Sequence, residues 1–204
     1  MSGERTGSIA GVVLAAGAST RLGRNKLFIE LAGESLLRRA VRHASAARLD
    51  PVFVVLGHEA ELAREALADL HVVPILNADY MRGVNTSLRA GITAASQSPS
   101  IAAVVMLADM PFVTDSMIAT LVDRYRASDA PLIVSDYGGV NAPPMLYDRS
   151  LFHELVSMEG EGCGRQVVKR HRDEAVTVSW PSDALADIDV PDDVERIKAA
   201  GYAG

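Results

Sequence analysis

The sequence has little cysteine and no long hydrophobic run. Its one cysteine, Cys163, excludes an intrachain disulfide and a cysteine-rich metal site. Acidic residues outnumber basic ones by 26 to 20, and the net charge of −6 argues against a nucleic-acid-binding surface. No stretch approaches the roughly 20 apolar residues that span a bilayer, and no signal peptide is evident. We therefore expect a cytoplasmic protein that binds neither nucleic acid nor a membrane.

The overall composition is that of a folded domain. The chain has 204 residues, of which 49% are hydrophobic, and a mean hydropathy of +0.14. That composition supports a sizeable core and argues against extended disorder. Residues 1–8 are polar and precede the first apolar run, so we predict a disordered start over 1–8 and a single domain over 9–204.

Short apolar runs alternate with segments whose apolar residues recur at helical spacing. This alternation predicts an α/β fold with a mainly parallel sheet and helices on both faces. Gly138-Gly139 and Pro143-Pro144 interrupt it, so we predict a small hairpin excursion near 135–150. The predicted strands are Ile9–Leu14, Val52–Leu56, Val72–Ile75, Ala102–Leu107, Leu132–Val134 and Ala175–Val178. The predicted helices are Ser35–Ala47, Glu59–Leu70, Thr86–Ser96 and Ser116–Ala127.

The end of the first predicted strand has the composition of a phosphate-binding loop. Ile9–Leu14 leads into Ala15-Ala16-Gly17, small residues that let backbone N–H groups approach a ligand closely. Arg21 and Lys26 add a planar fork and a point charge, the two kinds of phosphate partner. The spacing fits neither G-x-G-x-x-G nor G-x-x-x-x-G-K-[ST], which disfavours a dinucleotide-dependent dehydrogenase and a simple P-loop ATPase. The segment predicts a polyphosphate site; the alternative is an ordinary strand–turn–helix with solvated cations.

This segment matches the signature L-A-[AG]-G-x-S-x-R-[ML]-G-x-x-K of small nucleotidyltransferases. The chain most resembles the molybdenum cofactor cytidylyltransferases and guanylyltransferases. The resemblance implies a Rossmann-like, nucleotide-diphospho-sugar-transferase-like fold, and it covers about residues 9 to 200. It further implies that Arg21 and Lys26 are catalytic and that the small-residue loop binds the nucleotide. The nucleotide-binding residues implied in this way are Leu14, Ala15, Ala16 and Gly17, and Ser19 and Gly23 complete the match.

Two acidic segments are candidates for a Mg²⁺ site. Asp109 follows the predicted strand Ala102–Leu107, and Asp189 lies in an acidic cluster over 187–193. Mg²⁺ binds one or two carboxylates together with phosphate oxygens and water. These segments resemble the family's D-x-P and D-I-D-T-P-E-D-L, which implies that Asp109 and Asp189 hold the metal and that Asp109 is catalytic. The alternatives are a turn before Pro111 for the first acid and helix-start chemistry for the second cluster.

The segment Arg82–Gly91 resembles the family motif G-[MQ]-S-S-S-L-[RK]-A-G. The resemblance implies that Gly83 and Ser87 lie near the nucleotide base, because a hydroxyl at a helix start can hydrogen-bond the edge of a base. Asn85 is the predicted N-cap of this helix, and the alternative to base binding is a capped helix whose Ser, Thr and Asn side chains serve only backbone N–H groups.

The resemblance implies transfer of a nucleoside monophosphate from a nucleoside triphosphate to a phosphorylated acceptor. Ala16 gives the L-A-A-G form of the cytidylyl members, so CTP is the first choice over GTP. Molybdopterin is the first choice of acceptor, but Ala142-Pro143-Pro144 stands where the family has G-H-P, so sugar or polyol phosphates remain alternatives. A non-catalytic or NAD(P)H-dependent accessory protein on the same scaffold is the alternative from another functional class.

Overall fold

The computed structural model describes residues 5–18, 25–158, 160 and 162–185. The strands within these ranges are β1 (Ile9–Ala15), β2 (Glu30–Leu31), β3 (Glu34–Ser35), β4 (Val52–Leu56), β5 (Val73–Leu76), β6 (Ala102–Leu107), β7 (Leu132–Tyr137), β8 (Met145–Asp148) and β9 (Val176–Trp180). The α-helices are α1 (Leu36–Ala46), α2 (Ala60–Ala66), α3 (Val84–Ser96), α4 (Asp115–Arg126), α5 (Phe152–Ser157) and α6 (Cys163–Arg170). Short 3₁₀ helices include Lys26–Phe28, Tyr80–Arg82 and Arg172–Glu174.

Seven strands form one sheet in the order β5-β4-β1-β6-β8-β7-β9. Within the described ranges, β8 is the only strand of this sheet that runs antiparallel to its neighbours. A parallel strand that is buried on both faces needs a nearly continuous apolar run. The central strands meet that need, since β1 reads IAGVVLA, and β4 reads VFVVL and is buried throughout. The predicted α/β fold with a mainly parallel sheet is confirmed.

Helices cover both faces of this sheet, as predicted. Val13 and Val54 pack in one core with residues of α1, α2 and α4, whereas their neighbours Val12 and Val55 pack in a second core with α3, α5 and α6. One strand can supply both cores because successive side chains point to opposite faces. None of the helices in the described part of the chain is long and apolar enough to cross a membrane.

The predicted hairpin near 135–150 is formed by β7 and β8, which pair antiparallel. It is not a separate excursion, because β8 also pairs with β6 and both strands belong to the central sheet. Met145, Leu146 and Tyr147 are buried, as a central position requires. Pro143-Pro144 precedes β8 and therefore leaves its ladder of hydrogen bonds intact.

The segment before β1 is attached to the rest of the fold. Of the predicted disordered start over 1–8, residues 1–4 lie outside the described ranges. Arg5 donates a hydrogen bond to the Ala130 carbonyl at 3.1 Å and lies 3.3 Å from the Asp148 carboxylate. Its guanidinium also lies 4.4 Å from the centre of the Tyr125 ring, so three contacts hold the chain just ahead of β1.

Helix α3 approaches the sheet most closely at Gly91. A Cβ placed on Gly91 would lie 2.3 Å from Cγ1 of Val12 and 3.1 Å from Cγ2 of Val55. Both valines belong to central strands of a close-packed interior and have little room to move. The absence of a side chain at Gly91 therefore sets the height of α3 above β1 and β4.

We expect Gly91→Ala to destabilise the fold by about 1–3 kcal/mol, because its methyl group would overpack the contact with Val12. For a chain of this size, each kcal/mol lowers Tm by roughly 2–4 °C. Gly164→Ala is the matched control, since a Cβ there would meet its nearest neighbour, Leu88, at 3.5 Å, an ordinary contact. Thermal denaturation compares the two variants, and an equal loss of Tm in both would contradict the overpacking.

His43 of α1 is buried and contacts Asp115, the first residue of α4. Its Nδ1 lies 3.1 Å from the backbone nitrogen and 3.1 Å from Oδ1 of Asp115. Its Nε2 is buried and has no hydrogen-bond partner among the described residues. Burial, followed by the charge of Arg42, lowers the pKa of His43, and the contact with Asp115 only partly offsets these effects. The fold therefore favours the neutral imidazole.

We expect stability to fall in mild acid because of this residue. The pKa of His43 is lower in the folded than in the unfolded chain, so the unfolded state takes up more protons as the pH falls through about 6.5. The neutral His43 therefore contributes fully to the free energy of unfolding above that pH, and this contribution is lost as the pH drops toward the folded-state pKa. The Tm difference between about pH 7.5 and pH 5.5 should therefore be smaller in His43→Asn, which does not titrate there. Exposed His153→Asn should keep the wild-type difference; an unchanged difference in His43→Asn would rule out this linkage.

Candidate active site

A cleft opens at the carboxyl ends of β1 and β6, which are adjacent and parallel. Its volume is about 210 Å³. Ligands bind at this edge of α/β sheets because the loops that follow neighbouring strands converge there. The residues that line the cleft are Leu14, Ala15, Ala16, Gly17, Lys26, Leu27, Tyr80, Val84, Ser87, Leu107 and Asp109.

The loop after β1 is fixed through its carbonyl groups. The Leu14 carbonyl accepts a hydrogen bond from Ala108 N–H at 3.1 Å, and the Ala16 carbonyl accepts one from His58 N–H at 3.2 Å. No carbonyl within the described ranges accepts a hydrogen bond from Ala16 or Gly17 N–H. A Cβ on Gly17 would meet no atom within 4 Å, so packing does not require glycine there. The backbone at Leu14 and Ala16 is thus held by its carbonyl groups, and Ala16 and Gly17 line the cleft.

Lys26 and Asp109 meet inside the cleft. The Lys26 ammonium lies 2.6 Å from Oδ2 of Asp109, and the two side chains are 14% and 19% exposed. Lys26 begins a short 3₁₀ helix whose N-cap, Asn25, accepts a hydrogen bond from Leu27 N–H at 3.1 Å. Asp109 comes two residues after the end of β6. Lys26 and Asp109, which were predicted from separate motifs, are therefore in contact in the cleft.

Asp109 is the carboxylate that the cleft offers to a divalent cation. The described ranges contain no cluster of three or more histidine, cysteine, aspartate or glutamate side chains that could hold a metal. The predicted second ligand, Asp189, lies outside those ranges. One carboxylate suffices for Mg²⁺ when phosphate oxygens and water complete its shell, so the residues present fit a metal that binds with a nucleotide. Such a cation must share Asp109 with the Lys26 ammonium or displace it.

The start of α3 contributes a buried hydroxyl to the cleft. Ser87 is 4% exposed, and its Oγ accepts a hydrogen bond from Nδ2 of Asn77 at 2.9 Å. Because Asn77 supplies the proton in that bond, the Ser87 hydroxyl keeps its own proton for a ligand. Asn77 also donates to Thr86 Oγ1 at 2.8 Å, and Thr86 donates to the Gly83 carbonyl at 2.8 Å. Thr86 thus serves the helix start, whereas Ser87 faces the cleft.

Gly83 shapes the helix start and does not itself line the cleft. It is the N-cap of α3 with a φ of 109°, a conformation that favours glycine. Its near neighbours Tyr80 and Val84 line the cleft. The prediction that Asn85 is the N-cap is wrong, because the turn at Gly83 already starts the helix at Val84. Asn85 instead accepts a hydrogen bond from Cys163 N–H at 3.2 Å and so links α3 to α6.

The structure brings together most of the site residues predicted from the sequence. Arg21 lies outside the described ranges, as Asp189 does. Sequence reasoning missed Asn77 and Tyr80. A polar residue just past a predicted strand is a signal that could have found Asn77, whereas Tyr80 carries no such signal. The predicted residues that line the cleft are Leu14, Ala15, Ala16, Gly17, Lys26, Ser87 and Asp109.

Relatives of known name align along nearly the whole chain. The molybdenum cofactor guanylyltransferase of Rhizobium johnstonii is 38% identical over 91% of this chain and 90% of its own length. Nicotine blue oxidoreductase of Paenarthrobacter nicotinovorans is 30% identical over 93% and 94%. Purine catabolism protein PucB of Bacillus subtilis is 29% identical over 96% and 98%. These three relatives have different names, although each alignment covers at least 90% of both chains.

The fold recurs in solved structures. Rv0371c from Mycobacterium tuberculosis H37Rv superimposes with a TM-score of 0.82 at 26% identity, over 94% of this chain and 98% of that one. The complex of Rv0371c with manganese superimposes with a TM-score of 0.75 at 25% identity, over 95% and 100%. A protein of this fold has thus been obtained in complex with manganese.

A family profile matches the part of the chain that builds the cleft. The profile is that of the MobA-like NTP transferase domain, and it covers residues 11–176, from within β1 to the first residue of β9. The match includes most of the loop-bearing strand β1, Lys26, Ser87 and Asp109. The resemblance noted in the loop after β1 is confirmed, and so is the enzyme class that it implied. This chain belongs to the MobA-like NTP transferase domain family of nucleotidyltransferases.

Proposed function

We propose that this chain transfers a cytidylyl group from CTP to a phosphorylated acceptor, with Mg²⁺, and releases pyrophosphate. The observation that carries the proposal is the pair of Lys26 and Asp109 beside the open backbone of Ala16 and Gly17. An ammonium, a carboxylate and backbone N–H groups in one cleft suit a triphosphate that arrives with a divalent cation. Molybdopterin is the acceptor we favour, supported by the family resemblance and by the name of the Rhizobium relative.

The nucleotide is held by groups from three segments of the chain. The Lys26 ammonium contacts the triphosphate oxygens, and the N–H groups of Ala16 and Gly17 supply further donors. Arg21 has the same task by resemblance. The Ser87 hydroxyl donates to the base or the sugar, because it accepts from Asn77 and donates to no acceptor among the described residues. These groups act through position and charge, and no covalent intermediate is required.

The transfer step is an in-line displacement at the α-phosphorus. An anionic phosphate oxygen of the acceptor forms the new P–O bond while the bond to the α,β-bridging oxygen breaks. Pyrophosphate leaves with the electron pair of that bond. Because the acceptor oxygen is already deprotonated near neutral pH, the step needs no general base. The Lys26 ammonium stabilises the negative charge that develops on the leaving group.

Asp109 holds the metal in this proposal, with Asp189 as the second ligand. Mg²⁺ bound there supplies positive charge to the triphosphate. As the nucleotide enters, Lys26 exchanges its carboxylate partner for phosphate oxygens. In the protein without substrate, the ion pair therefore holds Lys26 and Asp109 in the positions from which they bind phosphate and metal.

The choice of CTP rests on Ala16. This residue gives the cytidylyl form of the family motif and lines the cleft, and a methyl group beside the base would leave less space for a purine. GTP is the second candidate nucleotide, because the 38% identical relative is named a guanylyltransferase.

An NAD(P)H-dependent role is the alternative from a different class. It is favoured by the 30% identity to nicotine blue oxidoreductase. The pairing of Lys26 with Asp109 supports nucleotidyl transfer instead, since hydride transfer does not need a metal-binding carboxylate beside a phosphate-binding ammonium.

Pyrophosphate release separates these candidates. The purified chain is incubated with Mg²⁺, with CTP or GTP, and with molybdopterin, a polyol phosphate, a sugar phosphate or no acceptor, while a parallel reaction follows NAD(P)H absorbance. Acceptor-dependent pyrophosphate from CTP supports the proposal. Release of pyrophosphate from GTP but not from CTP would make GTP the substrate. NAD(P)H oxidation without pyrophosphate release would overturn the proposal of nucleotidyl transfer.

We expect Lys26→Met to lower the rate of pyrophosphate release by on the order of 10²- to 10³-fold, the usual effect of removing one charge-stabilising donor. Arg38→Met is the control, because Arg38 also lies 2.6 Å from a carboxylate, that of Asp69, but does not line the cleft. That variant should retain the wild-type rate. A folded Lys26→Met protein with near-normal turnover would exclude Lys26 from the reaction.

We expect Ala16→Gly to relax the preference for CTP toward GTP, because loss of the methyl group enlarges the cleft beside the base. The shift should be partial, since one methyl-sized change is worth roughly 1–3 kcal/mol of discrimination. Competition between CTP and GTP is measured for both proteins as the ratio of kcat/KM values. An unchanged ratio would mean that Ala16 does not face the base.

A further inference from the structure

Two polar side chains of α1 are buried one helical turn apart. Arg39 is 5% exposed, the lowest value for any lysine or arginine in the described part of the chain, and His43 is 6% exposed. Residues four apart lie on the same face of a helix. Arginine is seldom buried to this depth, because removing its charge from water is costly unless hydrogen bonds compensate. A buried arginine on this face must therefore serve a partner that an apolar side chain could not.

One such partner is the segment over 108–114, which joins β6 to α4 and carries Asp109. Arg39 donates a buried hydrogen bond from Nε to the carbonyl of Pro111 at 3.3 Å. At the end of the segment, His43 Nδ1 accepts a hydrogen bond from Asp115 N–H at 3.1 Å. One face of α1 thus holds this segment in its middle and at its end.

The segment is also held by its own backbone and by packing. The N–H of Ala108 donates to the Leu14 carbonyl at 3.1 Å, and that of Val113 donates to the Met110 carbonyl at 3.3 Å. Met110 and Val113 are buried in the core that also contains residues of α1. Asp109 lies between the first of these bonds and the contact with α1. Its carboxylate therefore keeps its position only while the backbone on both sides of it does.

The same helix supports Lys26. The short 3₁₀ helix that begins at Lys26 places Leu27 in the core shared with α1. The N–H of Leu36, the first residue of α1, donates to the carbonyl of Ile29 at 3.0 Å, just after that 3₁₀ helix. Both members of the ion pair in the cleft are therefore carried by segments that are bonded to α1.

We infer that Arg39 is a positioning residue for Asp109, and that it acts through the carbonyl of Pro111, two residues farther along the chain. Arg39 does not line the cleft, so it acts on the substrate complex only through the backbone that it holds. An error of about 1 Å in the position of a reacting or charge-bearing group can cost on the order of 10²-fold in rate. The metal that Asp109 holds rests on the proposed function, whereas the anchoring of the segment by Arg39 does not.

Hydrogen exchange of backbone amides tests the anchor on the full chain without any ligand. We expect Arg39→Met to speed exchange at Val113 by at least about tenfold and to leave the amides of β1 and β4 unchanged, because only the segment over 108–114 loses a fixed point. An apolar side chain of similar length in place of a buried charge often costs little global stability. Arg39→Lys, which keeps the charge and lacks the Nε donor, tests the same contact if Arg39→Met does not fold.

Arg38→Met is the matched control. Arg38 also donates from α1 to a backbone carbonyl, that of Ala66 at 2.6 Å, but this carbonyl lies outside the segment. Exchange at Val113 should therefore stay at the wild-type rate in this variant. Unchanged exchange at Val113 in Arg39→Met, or equal acceleration in β1 and β4, overturns the anchoring role.

Metal-dependent nucleotide binding then tests whether the anchor acts through Asp109. The Kd of α,β-methylene-CTP, which cannot be cleaved at the reacting bond, is measured with Mn²⁺ and without a divalent cation, and the ratio of the two values is the gain due to the metal. We expect Arg39→Met to lower this gain about tenfold and to leave the metal-free Kd unchanged. In the Asp109→Asn background, Arg39→Met should cause no further loss. A tenfold change in the metal-free Kd, or a full further loss in that background, overturns the route through Asp109.

The outcomes separate this inference from the proposed function. A gain that is present in the wild-type chain and intact in Arg39→Met overturns the positioning role and leaves the proposed function standing. If the wild-type chain shows no gain with this analogue or with its guanosine counterpart, the metal role of Asp109 fails, and the positioning of Asp109 for a metal fails with it. Hydrogen exchange still decides whether Arg39 holds the segment.

Discussion

The contact between the Lys26 ammonium and the Asp109 carboxylate is the interaction on which the cleft depends. Each side chain is less than a fifth exposed, and an unpaired charge at that depth would carry a large desolvation penalty. The attraction between the two charges offsets part of that penalty, and the pair joins the chain that follows β1 to the chain that follows β6. A triphosphate with a divalent cation offers the same two charges as new partners. In the proposed function, substrate binding is therefore an exchange of partners between two groups that are already largely out of water.

The exchange requires the surrounding elements to hold their positions. Parallel pairing of β1 with β6 brings the two strand ends together, and the hydrogen bond from Ala108 N–H to the Leu14 carbonyl extends that pairing into the loops. Gly91 allows α3 to lie against β1 and β4, which places Ser87 at the side of the cleft. In a close-packed interior one element cannot shift without moving its neighbours, so these distances vary little. The geometry of the site is thus a consequence of how the core packs under it.

The sequence predicted the strands and helices that a local pattern of apolar residues determines. The apolar run Ala102–Leu107 became β6 at those residues, and the resemblance in the loop after β1 identified Lys26. The place of β8 in the central sheet was not predicted, because Pro143-Pro144 indicated a break and the four-residue strand behind it has no period of its own. Helices α5 and α6, of six and eight residues, are also too short to show one. The bond from Asn77 to Ser87 joins separate elements, and only the folded chain brings them together.

The distribution of charge explains how an acidic chain can take anionic substrates. A net charge of −6 gives no general attraction for a nucleotide, so affinity must come from donors at short range. In the cleft those donors are partly buried, where water and salt screen them little. The Lys26 ammonium is such a donor, since only 14% of its side chain is exposed. The chain therefore meets the negative charge of a nucleotide with a few partly buried donors and not with a general positive field.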